Sequence, residues 1–184
     1  MADPNAPPAS GLPFTEQSRY DIKGRQTLHV SFEGVVTRFQ YDDTPHGNGR
    51  LIEKQFFDNL TQYNAGIGAP SERQTFTYDA FGRMISTVWD RDLSAPGTEV
   101  QTWTNSYDTQ GRLTDVTSPT GEIHYEYDVF GRRVRVASRS AGFQPVNSTD
   151  YENDMRYAYD TQGRLIRVET LERHDAIVDV IPAQ

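Results

Sequence analysis

A six-residue pattern, Tyr-Asp-x-x-Gly-Arg, recurs along the 184-residue chain and constrains its fold more than any other feature of the sequence. There are five ungapped copies and one stretched copy, in which six residues separate Tyr41-Asp42 from Gly49-Arg50. An internal repeat predicts an array of one repeated structural unit. The repeated positions, which we interpret as structural, are Tyr20, Asp21, Gly24, Arg25, Tyr41, Asp42, Gly49, Arg50, Tyr78, Asp79, Gly82, Arg83, Tyr107, Asp108, Gly111, Arg112, Tyr127, Asp128, Gly131, Arg132, Tyr159, Asp160, Gly163 and Arg164.

The residue types in this pattern predict a tight turn between two strands. An aspartate side chain can accept a hydrogen bond from the backbone two residues further on, which forms an Asx-turn. Two variable residues fit a type I turn, and a glycine with positive φ then closes a hairpin with a bulge. We therefore expect Tyr-Asp to end one strand and Gly-Arg to begin the next.

The segments between the turns show the period of two that is typical of β-strands. Ring-bearing residues two positions apart share one face of a strand. Such pairs precede four of the turns: Phe39 and Tyr41, Phe76 and Tyr78, Tyr125 and Tyr127, and Tyr157 and Tyr159. No helical pattern of useful length is visible. The predicted fold is all-β, an antiparallel hairpin-after-hairpin ribbon of about twelve short strands that forms a curved open sheet or part of a β-shell.

Changes in composition divide the chain into three parts. Residues 1–18 contain four of the ten prolines and are predicted to be an extended lead-in or linker. Residues 19–170 hold the six repeats of the ribbon. Residues 171–184 are predicted to be a tail or a truncated next strand.

Composition argues against several classes of function. The net charge is −8 and there is no basic run, which does not suit a nucleic-acid binder. The absence of cysteine excludes disulfides and thiolate metal sites. No apolar run approaches the length of a membrane span, and no secretory signal is visible.

The Tyr-Asp-x-x-Gly-Arg copies, the leucines that follow two of them (Leu113 and Leu165) and the segment from Thr120 to Asp128 resemble the YD repeats of bacterial RHS proteins. Similar repeats occur in the BC component of insecticidal toxin complexes and in teneurins. The resemblance covers about residues 19–170. It implies a β-sheet ribbon that spirals into a shell, and in bacterial members this shell encloses a C-terminal toxin.

The resemblance thus predicts a non-enzymatic structural segment that encloses or presents a toxin cargo. Its partners would be further YD repeats of a longer chain, or other copies of itself, and a toxin cargo. It would be secreted or lie at the cell surface as part of a larger protein. Six repeats do not suffice for a closed shell, and the autoproteolytic motif that follows the repeats in bacterial members is not found.

Catalytic, cofactor and metal sites are not predicted. None of the common nucleophile, zinc, phosphate-loop or dinucleotide motifs is present. His29, His46, His124 and His174 stand at no metal-ligand spacing. The acidic pairs around Asp42 and Asp90 lack the ligand series and glycine of a calcium loop.

Three interpretations of the ribbon's surfaces remain open. The tyrosines could stack across strands, or Tyr125 and Tyr157 could form a glycan-stacking surface, as in an adhesive module at the cell surface. The motif arginines could pair with aspartates of neighbouring repeats or cover rings. The open edges of the ribbon could associate, giving oligomers or filaments.

Overall fold

The structure, a computed structural model, describes residues 16–64, 69–143, 151–172 and 177–182. The contacts of the chain divide it into two units, residues 1–102 and 103–184. Most of the predicted lead-in lies outside the described residues.

The first unit is an antiparallel layer whose strands are neighbours in sequence order. It contains β1 (Gln17–Tyr20), β2 (Gln26–Val30), β3 (Val36–Asp42), β4 (Arg50–Phe57), β5 (Glu72–Tyr78) and β6 (Met84–Asp90). The first part of β7 (Val100–Tyr107) also belongs to it. A short helix, α1 (Leu60–Asn64), follows β4.

The second unit repeats the same arrangement, with antiparallel strands in sequence order. After the last part of β7 it contains β8 (Leu113–Ser118), β9 (Gly121–Tyr127), β10 (Arg133–Ser140), β11 (Asn153–Tyr159), β12 (Leu165–Glu172) and β13 (Ile177–Pro182). The all-β antiparallel prediction is confirmed, with thirteen strands among the described residues where about twelve were expected.

Helix α1 was not predicted, because five residues are too few to show helical periodicity. Its beginning does carry a local signal. Asn59 Oδ1 accepts a hydrogen bond from the Gln62 amide at 2.9 Å, and Gln62 Oε1 accepts one from the Asp58 amide at 2.7 Å. This reciprocal pattern resembles a capping box, which marks a helix start.

The hydrophobic core of the first unit is small. Leu28, Val30, Val36 and Phe57 are buried together, and α1 supplies Leu60 and Tyr63 against them. Among the described residues of the second unit, only Ala137 and Phe143 are buried hydrophobics. The layers therefore depend on contacts between neighbouring strands and turns more than on a thick core.

Candidate functional site

The five ungapped Tyr-Asp-x-x-Gly-Arg copies form one and the same hydrogen-bonded turn. In the copy at Asp108, carboxylate Oδ1 accepts hydrogen bonds from the amides of Gln110 and Arg112, both at 2.9 Å. Oδ2 accepts one from Arg112 Nε at 2.6 Å. The Asp108 amide donates to the Arg112 carbonyl at 2.9 Å, and the Gly111 amide donates to the Asp108 carbonyl at 3.0 Å. The Asx-turn predicted from the sequence is thus present, with Gly111 at a φ of 84°.

The aspartates of the other four ungapped turns make the same three side-chain contacts with closely similar distances. They are Asp21, Asp79, Asp128 and Asp160. The strand register shifts next to each turn, as expected for a hairpin with a bulge. Because the hairpins are antiparallel and consecutive, the turns of each unit lie on the same side of that unit. We call each such series of three turns, the stretched copy included, a turn ladder.

The turn lowers the pKa of its aspartate. For Asp108 and Asp160 the largest cause is the hydrogen bond from the backbone amide of the motif arginine, and the guanidinium adds to it. Both donors favour the ionised carboxylate. The aspartates are therefore charged acceptors that hold the turn closed.

This lowered pKa predicts acid sensitivity of the turns. A carboxyl whose folded pKa lies below its ordinary 3.8 stabilises the fold fully above that value, and this contribution is lost as the pH falls through the folded pKa. We expect the Asp108 carboxyl to titrate below 3.8 in a carbon-detected NMR titration, with the Gln110 and Arg112 amide signals moving at the same midpoint. In an Asp108→Asn variant those two amides should lose this transition. A midpoint at or above 3.8 would contradict the charged-acceptor role.

The stretched copy closes differently. Asp42 Oδ1 accepts a hydrogen bond from the Thr44 amide at 2.9 Å, and the Gly49 amide donates to the Asp42 carbonyl at 2.9 Å. Asn48 and Gly49 both have positive φ, at 52° and 68°. The extra residues therefore fit into the turn through two successive left-handed positions.

The extra residue Asp43 links the stretched turn to the turn before it. Asp43 Oδ1 accepts hydrogen bonds from Lys23 Nζ at 2.7 Å and from Arg25 Nη1 at 2.9 Å. The Arg25 hydrogen bond is the largest cause that lowers the pKa of Asp43, to about 2. This ion-pair cluster joins two adjacent turns of the first ladder.

A second set of contacts joins neighbouring repeats within each unit. The motif tyrosine donates its hydroxyl to the carbonyl of the residue that follows the arginine of the preceding repeat. Four such bonds join Tyr41 to Gln26 at 2.8 Å, Tyr78 to Leu51 at 2.7 Å, Tyr127 to Leu113 at 2.8 Å and Tyr159 to Arg133 at 2.9 Å. Each bond fixes the end of one strand to the beginning of the strand beside it.

The preceding arginine lies over the same tyrosine ring. The distances from guanidinium carbon to ring centroid are 4.4 Å for Arg25 and Tyr41, 5.7 Å for Arg50 and Tyr78, 4.7 Å for Arg112 and Tyr127, and 4.6 Å for Arg132 and Tyr159. Cation–π contacts of this kind contribute about 0.5–1 kcal/mol at exposed sites. We call this arginine–tyrosine contact, together with the tyrosine hydroxyl bond, the repeat clasp.

One sequence-based interpretation of the arginines is corrected by this geometry, and the other is confirmed. The motif arginines of the five ungapped copies form ion pairs with the carboxylate of their own turn, four residues earlier, rather than with the motif carboxylates of neighbouring repeats. Arg112 and Arg132 reach only the backbone carbonyl of the next motif aspartate. The turn is short, so the arginine lies next to the carboxylate of its own repeat. The ring-covering role is confirmed, and the covered tyrosine belongs to the following repeat.

Gly82 is required for space as well as for its backbone conformation. A Cβ on Gly82 would overlap the guanidinium of Arg50, whereas a Cβ on Gly24 would meet nothing within 4 Å. Both glycines have positive φ, at 83° and 77°. The first turn therefore tolerates a side chain better than the third turn.

This contrast predicts unequal costs for two alanine substitutions in the first unit. Gly24→Ala should lower the free energy of unfolding by about 1 kcal/mol, because alanine is strained in a left-handed conformation. Gly82→Ala should cost about 0.5–1 kcal/mol more, because Arg50 must leave its place beside Gly82 and Tyr78. Urea unfolding followed by circular dichroism measures both. Equal costs, or a larger cost at Gly24, would be inconsistent with the observed position of Arg50.

The two tyrosines proposed for glycan stacking are half-buried in the second unit. The guanidinium of Arg133 lies 5.5 Å from the ring centre of Tyr125. The hydroxyl of Tyr157 lies 3.9 Å from Met155 Sδ. One ring thus already has a cation over it, and glycan binding stays a prediction.

A polar cluster on the second unit was not recognised in the sequence. His124 Nδ1 lies 2.7 Å from Asp115 Oδ1, and its ring stacks on Tyr151 at 5.9 Å. Arg135 and Arg139 lie over the same tyrosine ring at 5.2 and 5.4 Å. The cluster could not be found from spacing, because its members come from four separate segments of the chain. No group of three or more histidines and carboxylates with metal-binding geometry occurs among the described residues.

The variable residues of the turns project outward. Four of them are apolar and largely exposed: Ile22, Phe81, Val129 and Phe130. Phe81 and Phe130 lie beside the arginines of their own turns, at 5.2 and 5.1 Å. Each turn ladder therefore presents apolar tips above a row of ion pairs.

Comparisons with known proteins agree with the repeat pattern. Residues 107–144, which contain two of the six copies, match the family model "RHS Repeat". The "Probable deoxyribonuclease RhsB" of Dickeya dadantii (strain 3937) is 34% identical over 103 residues, and the "Probable deoxyribonuclease RhsA" of the same strain is 36% identical over 103 residues. These matches cover 54% of this chain and 6% of each relative, so the chain spans a small fraction of their length.

Solved structures with similar regions include a TcdB2-TccC3-Cdc42 crystal structure, at a TM-score of 0.35 and 14% identity. That match covers 92% of this chain and 11% of the other. The Photorhabdus luminescens Tc holotoxin pore is similar at a TM-score of 0.36 and 16% identity, covering 92% of this chain and 10% of that one.

Proposed function

We propose that the chain is a non-enzymatic structural segment built from RHS/YD repeats, and that it forms part of a larger shell that encloses or presents a toxin cargo. The observation that carries this proposal is the repeat clasp. Arginine, tyrosine and aspartate are residues that could bind or catalyse, and the motif uses them to close turns and to join neighbouring repeats. In this proposal, the polar residues of the motif hold the sheet of the shell together.

The distribution of buried residues also supports a role as a segment of a shell. Each unit adds strands to its layer in sequence order, and few side chains are fully buried. Stability in such arrays comes largely from contacts between neighbouring repeats, so repeats can be added without a larger core. This arrangement suits a segment of an extended surface better than a globule built around one pocket.

The proposal includes the organisation of the chain. Residues 1–18 act as an extended lead-in or linker, residues 19–170 form the ribbon, and residues 171–184 form a tail or a truncated next strand. The partners are further YD repeats and a toxin cargo, and the larger protein is secreted or lies at the cell surface. Among the described residues, the helical segment is too short to cross a membrane.

Protease protection in the polypeptide that carries this segment tests the shell role. We expect the cargo region to resist protease in the intact polypeptide and to become sensitive when residues 107–158, two whole repeats, are deleted. Replacing the exposed Thr161 by alanine is the matched control and should leave protection unchanged. Cargo that is equally sensitive with and without the two repeats would contradict enclosure, and substrate turnover by the purified 184-residue chain would contradict a non-enzymatic role.

A further inference from the structure

We propose that Arg164 and the Leu165 carbonyl form a docking site for the tyrosine of a seventh Tyr-Asp turn, placed directly after Gln184. This inference rests on the proposed role as a segment of a longer repeat array. It adds the residues that receive the next repeat and the position at which that repeat begins.

The first observation is that the Arg164 side chain is more exposed than those of Arg112 and Arg132, although its ion pair is the same. Its ion pair with Asp160, at 2.6 Å, matches those of Arg112 and Arg132 with their own aspartates. Yet 74% of the Arg164 side chain is exposed, compared with 26% for Arg112 and 28% for Arg132. The latter two lie over the tyrosine of a following repeat.

The first repeat of the first unit shows the complementary feature, an uncovered tyrosine. Tyr20 belongs to the first repeat and is 58% exposed, whereas the tyrosines that a preceding arginine covers are half-buried. Half of a repeat clasp is thus present at Arg164, and the other half is present at Tyr20. The partner that Arg164 fits is a tyrosine with a hydroxyl free to donate.

The register between strands gives the position of that tyrosine. In every clasp observed, the third residue after the motif arginine faces the residue that stands three positions before the next tyrosine. These facing pairs are Leu28 and Arg38, Glu53 and Thr75, Asp115 and His124, and Arg135 and Arg156. The rule therefore holds at four independent junctions, including the junction after the stretched copy.

The same rule applies to β12 and β13. Arg167 is the third residue after Arg164, and it faces Pro182. The tyrosine that would complete the clasp accordingly belongs three residues beyond Pro182, which is the position directly after Gln184. β13 is thus paired in the register of the first strand of a seventh repeat.

Extension of the full 184-residue chain tests this inference. A second copy of the segment 159–172, which contains a complete turn and the strand after it, is fused directly behind Gln184. In the control the same segment follows one inserted alanine, which turns its side chains to the opposite face. The direct fusion should slow amide exchange in β12 and β13 about tenfold, because a cation–π contact and a hydrogen bond are added.

An NMR measurement keeps the test independent of stability. The Arg164 side-chain signals should show an upfield ring-current shift in the direct fusion and none in the shifted one. Replacing the first fused tyrosine by phenylalanine should keep the ring-current shift and lose part of the exchange protection, since Leu165 then lacks its donor. If the direct fusion and the control fusion with the inserted alanine show the same Arg164 shifts and the same amide exchange, the inference is overturned.

A second copy of the chain is the competing occupant, because its Tyr20 could contact Arg164. A ring-current shift of Arg164 that grows with concentration in the unextended chain would favour that arrangement and overturn the inference. The shell role is judged separately. Correct docking with unprotected cargo would remove only the proposed function, and protected cargo without docking would remove only this inference.

Discussion

Replacing Phe57 by alanine is expected to lower the free energy of unfolding of the first unit by about 3–5 kcal/mol, the range for a large buried aromatic residue. Phe57 is 6% exposed and packs with Leu28, Val30 and Val36. Its ring meets Tyr63 of α1 edge to face, at 5.3 Å. Since this cluster is the main core of the unit, its loss should also release α1 from the layer.

Urea unfolding followed by circular dichroism and by amide exchange in β2–β4 measures this effect. The matched control is Ile22→Ala, an apolar residue of the same unit that is 88% exposed. The control should change the free energy by about 0.5 kcal/mol or less. Similar losses in the two variants would show that the small cluster around Val36 is not what stabilises the unit.

Replacing Arg132 by alanine is expected to destabilise the second unit by about 2–3 kcal/mol. The side chain donates from Nε to Asp128 Oδ2 at 2.6 Å and from Nη1 to the Asp160 carbonyl at 3.4 Å. Its guanidinium also lies 4.6 Å from the Tyr159 ring centre. One substitution therefore removes an ion pair inside one turn and the arginine's part of the clasp to the next, while the Tyr159 hydroxyl bond to the Arg133 carbonyl is kept.

Arg164→Ala is the control that separates these two effects. Arg164 makes the same ion pair within its own turn, but its side chain is largely exposed. Its loss should cost about 0.2–1 kcal/mol, the range for an exposed ion pair. Equal losses at Arg132 and Arg164 in urea unfolding would indicate that the clasp adds nothing to the turn.

The turns could be predicted from the sequence because their causes are local. Asp108 and Gly111 lie within four residues of each other, and the Asx-turn and the positive φ of glycine follow from residue type alone. The alternation of the strands likewise depends on neighbouring positions. The all-β antiparallel fold was therefore accessible without the structure.

The contacts between repeats could not be predicted in the same way. The Tyr159 hydroxyl reaches the Arg133 carbonyl across 26 residues, and that pairing depends on the register of β10 and β11. The sequence shows that tyrosine and arginine recur, but loops of varied length separate them. For the same reason, the core around Val36 and the cluster around Tyr151 became visible only in the structure.

A double-mutant cycle between Arg132 and Tyr159 tests most directly the claim that the motif joins neighbouring repeats. The cycle compares Arg132→Ala, Tyr159→Leu and the double variant by their free energies of unfolding. We predict a coupling of about 0.5–1 kcal/mol, since the two side chains form one cation–π contact. Losses that add to within about 0.3 kcal/mol would contradict the claim, because the arginine would then act only within its own turn.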